Sequence, residues 1–406
     1  MKNHNSQQNV TTLEFSPVHE YQTLKNRPTR KNKIIIICII SLIVTVCIIT
    51  AIVLWVILSK PRPSNLKKVI VIARHGARTS FYSIPVEIVP DWKCDLPQKI
   101  SYEMQLMLLN TTSPTPCPPG ELVKNGYLQH KELSQRLKRQ YINTKFVAAD
   151  YDNSQIRLRS TNTTRTRASL LGQLSILFPN QDQFDVEMAD NLNDGYHPPF
   201  PCAWQSAFQD QIYKTHASKF PMKQELDKVN SALKTNNLDW NKIWDALRAI
   251  TGRGDQLPIQ ISQDTYQQVE IANNMFWRQW FCNENTINST KIVQINIGPI
   301  FNDIIQKMTQ DAHKLNIITA HDTVVAPLMT VLTNSNWDCN QPKFAADIAI
   351  ELDQQDQISI KYNGQKVTTL NCASKTSCTL QEFIELLTPY AVSGQARIDL
   401  CNVKFN

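Results

Sequence analysis

Val69-Ile70-Val71-Ile72-Ala73-Arg74-His75-Gly76-Ala77-Arg78-Thr79 decides how the rest of the chain is read. Its first five residues are apolar and mostly β-branched. They read as a strand buried on both faces, the kind that parallel sheets contain. The run ends in a His between two Arg. In open α/β sheets, ligands bind off the carboxyl ends of the strands. Two guanidiniums there can hold a phosphate bidentately. An imidazole between them can attack phosphorus, and Gly76 lets the backbone turn tightly beside the ligand. A surface Arg/His cluster after a strand is the plainer reading of the same residues.

Working outward, Gly126-Tyr127-Leu128-Gln129-His130 opens a helical pattern continued by Leu133, Leu137 and Tyr141. Arg159-Ser160-Thr161 is followed by Arg165-Thr166, and a second apolar helical pattern runs from Thr163 to Leu177. Leu315 to Thr319 reads as another buried strand, ending in Ala320-His321-Asp322-Thr323. His321 stands to that strand as His75 stands to the first, so the two strand ends can meet at one pocket. The alternative for Asp322 is a cap on the helix that follows. Residues from about 185 to 290 are rich in Asn, Gln and Trp, with few β-branched runs, and read as a mainly helical insertion capping the sheet. Gly252 to Asp255 reads as a turn.

The four segments in this order resemble the histidine acid phosphatases, a branch of the histidine phosphatase superfamily. The match covers about residues 67 to 401. It implies an α/β fold: a phosphoglycerate-mutase-like central mixed sheet flanked by helices, with a smaller, mainly helical cap domain. It also implies hydrolysis of small phosphomonoester substrates without metal or other cofactor. In the matching positions, His75 is the nucleophile that becomes a phosphohistidine. Asp322 is the general acid, and Arg74, Arg78, Arg159 and His321 bind the substrate phosphate. The chain departs from the pattern at Ser80, where many relatives have Pro, and at Ala77, where part of the family has Asp. Ala77 leaves the substrate class open.

Charge separates the chain into two regions. Of 42 Lys and Arg, seven lie in residues 1–60, with two of the 35 Asp and Glu, leaving 35 basic against 33 acidic residues beyond. That near balance argues against nucleic acid as a partner. The basic excess flanks Ile34 to Leu58, 25 residues without a charge. At about 1.5 Å per residue such a helix reaches ~37 Å, enough to span a bilayer with some tilt. It is too long for a secretory signal's apolar region and follows a polar leader, so it reads as a transmembrane signal anchor. The expected organisation is a cytoplasmic tail at 1–33, the anchor at 34–58, a stalk at 59–66 and the phosphatase ectodomain at 67–406.

Cysteines set the orientation better than charge does. Eight lie in the body, an even number that suits disulfides in an oxidising compartment. Asn110, Asn162 and Asn288 head glycosylation sequons. Asn162 lies inside the second arginine motif, which leaves its glycosylation open. A single-pass type II protein follows, with a lumenal or extracellular body. Eight cysteines allow 105 pairings. The family resemblance implies Cys202–Cys401, Cys282–Cys339 and Cys372–Cys378, leaving Cys94 with Cys117. Tyr21-Gln22-Thr23-Leu24 is similar to signals read by sorting adaptors, which points to the endolysosomal membrane or cell surface. A Golgi phosphatase acting on phosphorylated glycans, or a non-catalytic ectodomain binding phosphorylated ligands, are the alternatives. Relatives are often dimers, so a homodimer stays open. No Cys precedes an Arg by six residues, which removes the cysteine-phosphatase loop.

Overall fold

A computed structural model describes residues 35, 39–51, 64–82, 96, 117–189, 194–197, 201–217, 222–235, 238–282 and 287–404. The chain divides into two units, Met1–Pro61 and Arg62–Asn406. In the first, residues 39–51 form a helix with exposed side chains. Among the described residues no helix is long and apolar enough to cross a membrane. Most of the expected anchor's flanks, and the segment Tyr21 to Leu24, lie outside the described residues.

The second unit is built on a mixed sheet. β1 (Leu66–Arg74) is parallel to β4 (Leu315–Ala320) on one side and antiparallel to β5 (Asp347–Asp353) on the other. β2 (Ile156–Ser160) and β3 (Val186–Glu187) extend the parallel wing beyond β4. β6 (Gln357–Tyr362) and β7 (Gln365–Lys366) extend the antiparallel wing, and β8 (Cys378–Thr379) also pairs with β6. Arg74 stands opposite Ala320, and Ser160 opposite Thr319. Three neighbouring parallel strands therefore end level, and His75, Thr161 and His321 emerge together on one edge.

Both faces of β1 are covered, which is why its sequence is apolar without alternation. Val69, Val71 and Ala73 pack with Leu133 and Leu137 of α1 (Lys124–Leu137) and with Leu170 and Leu174 of α2 (Thr164–Leu177). Leu170 has no exposed surface, so truncation to Ala should cost about 2–5 kcal/mol.

Between β3 and β4 the described residues hold helices and no strand. α3 (Ala203–Ala217), α4 (Met222–Ala232), α5 (Trp240–Arg253) and α6 (Gln263–Phe281) precede α7 (Ile287–Thr309). Val229, Leu233, Ile243, Trp244, Leu247 and Val269 give this cap a core of its own. α5 starts where the Asp239 carboxylate accepts the Lys242 N–H at 2.9 Å, an N-cap that satisfies one of the helix's orphan donors. It stops at Gly254, whose φ of 95° suits glycine, within the turn read from the sequence. Ile70 and Ile72 on the other face of β1 meet Ile300 and Phe301 of α7 and Val324 and Leu328 of α8 (Asp322–Thr333).

Disulfides join Cys202 to Cys401 in α10 (Gly394–Asn402), Cys282 to Cys339, and Cys372 to Cys378, with Cα separations of 5.2, 6.1 and 5.5 Å. The intervening α9 (Leu380–Leu387) opens with a capping box, Thr379 and Glu382 bonding each other's backbone N–H. Cys117 is disulfide-bonded; Cys94 lies outside the described residues.

Candidate active site

The loop after β1 is fixed before any ligand is considered. A Cβ on Gly76 would meet the Gly126 carbonyl oxygen at 2.2 Å, and a Cβ on Gly126 would sit 2.1 Å from that of Ala77. The two glycines let the loop lie directly on the first turn of α1. Gly76 N–H donates to Ser169 Oγ on α2 at 3.0 Å, and Ala77 N–H to Gln129 Oε1 on α1 at 2.9 Å.

His75 is buried between these helices and the end of β4. Its Nδ1 is 2.8 Å from the Gly76 carbonyl oxygen. A carbonyl only accepts, so Nδ1 carries the proton and Nε2 keeps its lone pair. Burial, then Arg165, Arg74, His321 and Arg78, holds the His75 pKa well below the usual histidine value. His321 lies 5.6 Å away, ring centroid to centroid, and its Nε2 is 3.0 Å from Thr161 Oγ1. Burial, Arg165 and His197 push its pKa down as well. His197 stacks edge-on 5.0 Å from His321, so three imidazoles stand in a row.

Arg74 reaches Asp322, Nη2 to Oδ2 at 2.7 Å, and donates through Nη1 to the Pro342 carbonyl. Arg78 pairs with Asp245 of α5 at 2.7 Å. Arg165, in the first turn of α2, is mostly buried, and its pKa is lowered to about 10 by burial and Arg78. Arg248 of α5 is likewise lowered to about 10 by burial, with Asp322 opposing the shift and Arg78 reinforcing it. Among the described residues, the buried Nε–H groups of Arg74, Arg78 and Arg165, like that of Arg159, find no acceptor. Buried donors are normally paired, and four neighbouring cations create a strongly anion-seeking site.

Arg159, read from the sequence as a phosphate ligand, pairs with Asp194 at 2.8 Å and Glu187 at 3.7 Å, with its guanidinium 4.9 Å from the Tyr196 ring centroid. Arg165 is the arginine of that motif that acts on His75 and His321. Arg159 belongs to the strand and Arg165 to the helix that follows, and the helix start faces the shared strand edge. Through Asp194, which also accepts the Tyr196 N–H at 2.9 Å, Arg159 holds the turn that presents His197.

Asp322 is the first residue of α8; the N-cap position belongs to His321, which makes no side-chain cap bond. The Asp322 Oδ1 accepts the Thr323 N–H at 2.9 Å, and Oδ2 takes Arg74 and the Gln341 amide, each at 2.7 Å. Burial alone would raise the Asp322 pKa, but Arg74, Arg248 and Gln341 outweigh it and leave the group below the usual carboxylate range.

Asp245 and Phe344 escaped the sequence reading because no motif marks them. Asp245 binds Arg78, the Ser80 hydroxyl at 2.8 Å and the Phe81 N–H at 2.7 Å. Ser80, where many relatives have Pro, thereby gains a cap contact. Phe344 lies 4.4 Å below the Arg74 guanidinium and 4.7 Å from that of Arg248. His130 donates from Nε2 to the Arg74 carbonyl at 3.1 Å and accepts from Gln173 at 3.0 Å; burial lowers its pKa to about 3, so it remains neutral. Asn162 is exposed beside Thr161. Asn110 lies outside the described residues, and Asn288 lies in α7. Among the described residues, no group of His, Cys, Asp or Glu is arranged to hold a metal ion.

Level strand ends carrying Arg-His-Gly-x-Arg and His-Asp define a class of phosphate-handling α/β enzyme. The profile of the histidine phosphatase superfamily (branch 2) matches residues 65–365; the chain belongs to this family and is a histidine acid phosphatase, a phosphoric monoester hydrolase. Lysophosphatidic acid phosphatase type 6 of Mus musculus is 22% identical over 374 residues, which cover 83% of this chain and 88% of that protein. Prostatic acid phosphatase of Bos taurus is 23% identical over 365 residues, covering 81% and 86%. The phytase from Citrobacter braakii superposes with a TM-score of 0.56 at 15% identity, over 84% of this chain and 100% of that one. At that identity the superposition speaks for the fold.

Proposed function

We propose that the protein is a membrane-anchored acid phosphatase that works through a phosphohistidine on His75. The observation that carries this reading is the 2.8 Å contact of His75 Nδ1 with the Gly76 carbonyl oxygen, which leaves Nε2 as the ring's lone-pair nitrogen amid Arg165, Arg74 and Arg78. The substrate phosphate binds among Arg74, Arg78, Arg165 and His321. Their charge offsets the charge on the non-bridging oxygens in the transition state. His75 Nε2 attacks, the P–N bond forms, and the P–O bond to the leaving group breaks. Asp322 gives its proton to the departing alkoxide. Water then attacks phosphorus, its proton returns to Asp322, and His75 is released.

Asp322 must hold a proton at the moment of cleavage although its resting pKa is low. Substrate supplies the change. A phosphate that engages Arg74 removes part of the cation's hold on Asp322, and loss of a neighbouring positive charge raises a carboxyl pKa. At mildly acidic pH the monoester arrives largely as its monoanion, since the second phosphate pKa is about 6, and can bring the proton with it.

The anchor at 34–58 rests on 25 uncharged residues in the sequence, and the lumenal body on its disulfides and sequons. Full-length protein in membranes should hydrolyse nitrophenyl phosphate in mild acid. His75→Ala should remove that activity while the protein stays folded; persistent turnover would disprove the reading.

A further inference from the structure

Gln341 lies in the loop between α8 and β5, outside every motif, yet its amide joins the cap to Asp322. Its Nε2 donates to Asp322 Oδ2 at 2.7 Å, the oxygen that also takes Arg74. Its Oε1 accepts from two cap side chains, Trp244 Nε1 of α5 at 2.7 Å and Asn273 Nδ2 of α6 at 3.1 Å. Two further ties hold the loop to α6. The Gln341 N–H donates to Asn274 Oδ1 at 3.2 Å, and Cys339 is bridged to Cys282 at the helix's end.

The amide's orientation follows from chemistry. An indole N–H can only donate, so the Gln341 atom facing Trp244 is the oxygen. The nitrogen must then face Asp322. An N–H aimed at a carboxyl group favours its ionised form, whereas an amide oxygen aimed at it requires the protonated form. A flipped amide would therefore bind the opposite state of Asp322.

We infer that Gln341 is a positioning residue for Asp322, and that Trp244 locks its amide so that the cap sets both the carboxyl group's aim and its hold on the proton. The inference rests on the proposed role of Asp322 as general acid. Arg74, Arg78, Arg165 and Arg248 also act on this carboxyl group, with Asp245, His75 and His321 nearby and the neutral Asn273 contributed by α6. The cations and Gln341 pull in the same direction. Loss of the Gln341 donor thus lets Asp322 keep its proton to higher pH.

The test is the pH dependence of kcat on an alkyl phosphate and on nitrophenyl phosphate, using full-length protein. In Gln341→Leu the alkaline limb on the alkyl ester should move up by about one pH unit, the scale of one charge-assisted hydrogen bond. The maximal alkyl rate should fall about tenfold while the nitrophenyl rate stays near wild type, because only the poor leaving group needs a well-aimed acid. Trp244→Phe removes the indole donor while keeping an aromatic ring beside Arg248 and Tyr266, so its limb should move the same way by less. Combined with Gln341→Leu it should add nothing, since it acts through that amide. An unmoved limb in Trp244→Phe or Gln341→Leu, or full additivity of the two, overturns the inference. If Gln341→Leu does not fold, the limb of Trp244→Phe decides alone. Asp322→Asn separates the two levels: if it retains the alkaline limb, Asp322 is not the acid; if it loses the limb while the other variants leave it in place, only the Gln341 inference fails.

Discussion

The Arg74 guanidinium and the Asp322 carboxylate form a buried ion pair at 2.7 Å, joining the residue that closes β1 to the residue that opens α8. The pairing of Arg74 with Ala320 in adjacent parallel strands brings them together. In the proposed mechanism a bound phosphate would compete for Arg74, coupling phosphate binding to the proton affinity of Asp322.

Removing the acid should affect substrates unequally. Asp322→Asn should slow alkyl phosphate hydrolysis by about 10²–10⁴-fold, the usual cost of losing a general acid. Nitrophenyl phosphate, whose anion departs without a proton, should lose much less. Steady-state rates on the two esters check this. Equal wild-type rates on the alkyl ester would take Asp322 out of the mechanism.

Arg165 and Arg159 should part company on mutation. Arg165→Gln should raise KM and lower kcat/KM by about 10²-fold, on the scale of losing one transition-state hydrogen-bond donor. It should also shift the acid limb. His75 must be neutral to attack, and burial, then Arg165, holds its pKa down. Without the Arg165 charge that pKa rises, so more of the enzyme is protonated in acid and the limb of kcat/KM moves to higher pH. Arg159→Gln should leave the limb in place and act mainly through the turn that carries His197. The reverse pattern would assign the phosphate to Arg159 instead of Arg165.

Asp245 aligns Arg78 from the cap. Asp245→Asn keeps the shape but removes the charge, and should raise KM roughly tenfold through a less constrained Arg78. kcat for the bound nitrophenyl ester should change little. A change confined to kcat would assign Asp245 to the chemical step instead.

The proposed anchor and its orientation have their own test. Asn110 and Asn288 should carry glycans, and protease added to sealed vesicles should remove residues 1–33 while sparing the body. Digestion of the body would reverse the topology. Glycosidase shift of an Asn162→Gln variant against wild type shows whether that sequon, at the rim of the site, is used.

Much of this site is written locally. Val69 to Ala73 declares a strand covered on both faces, and the Arg and His residues at its end need no tertiary information to attract notice. Ala320-His321-Asp322 repeats the arrangement at β4. The fold follows from the same two strands and the helical patterns that cover them. What is not legible depends on contacts between distant segments. Arg159 and Arg165 are six residues apart, and only the folded chain shows that Arg159 pairs with Asp194 while Arg165 acts on His75 and His321. Asp245 and Arg248 look like ordinary charges on a helix until α5 docks over the strand ends. Gln341 and Phe344 sit in a loop without pattern, and their meaning comes from Trp244 and Arg74, roughly a hundred or more residues away.

The central claim is the covalent intermediate on His75. The direct measurement is to mix enzyme with substrate labelled in its phosphate, denature it in alkali, and map the label by peptide. The account predicts a base-stable, acid-labile phosphate on His75, absent from His75→Ala and still formed in Asp322→Asn when the leaving group is nitrophenol. Label on any other residue, or a fully active His75→Ala enzyme, would contradict it.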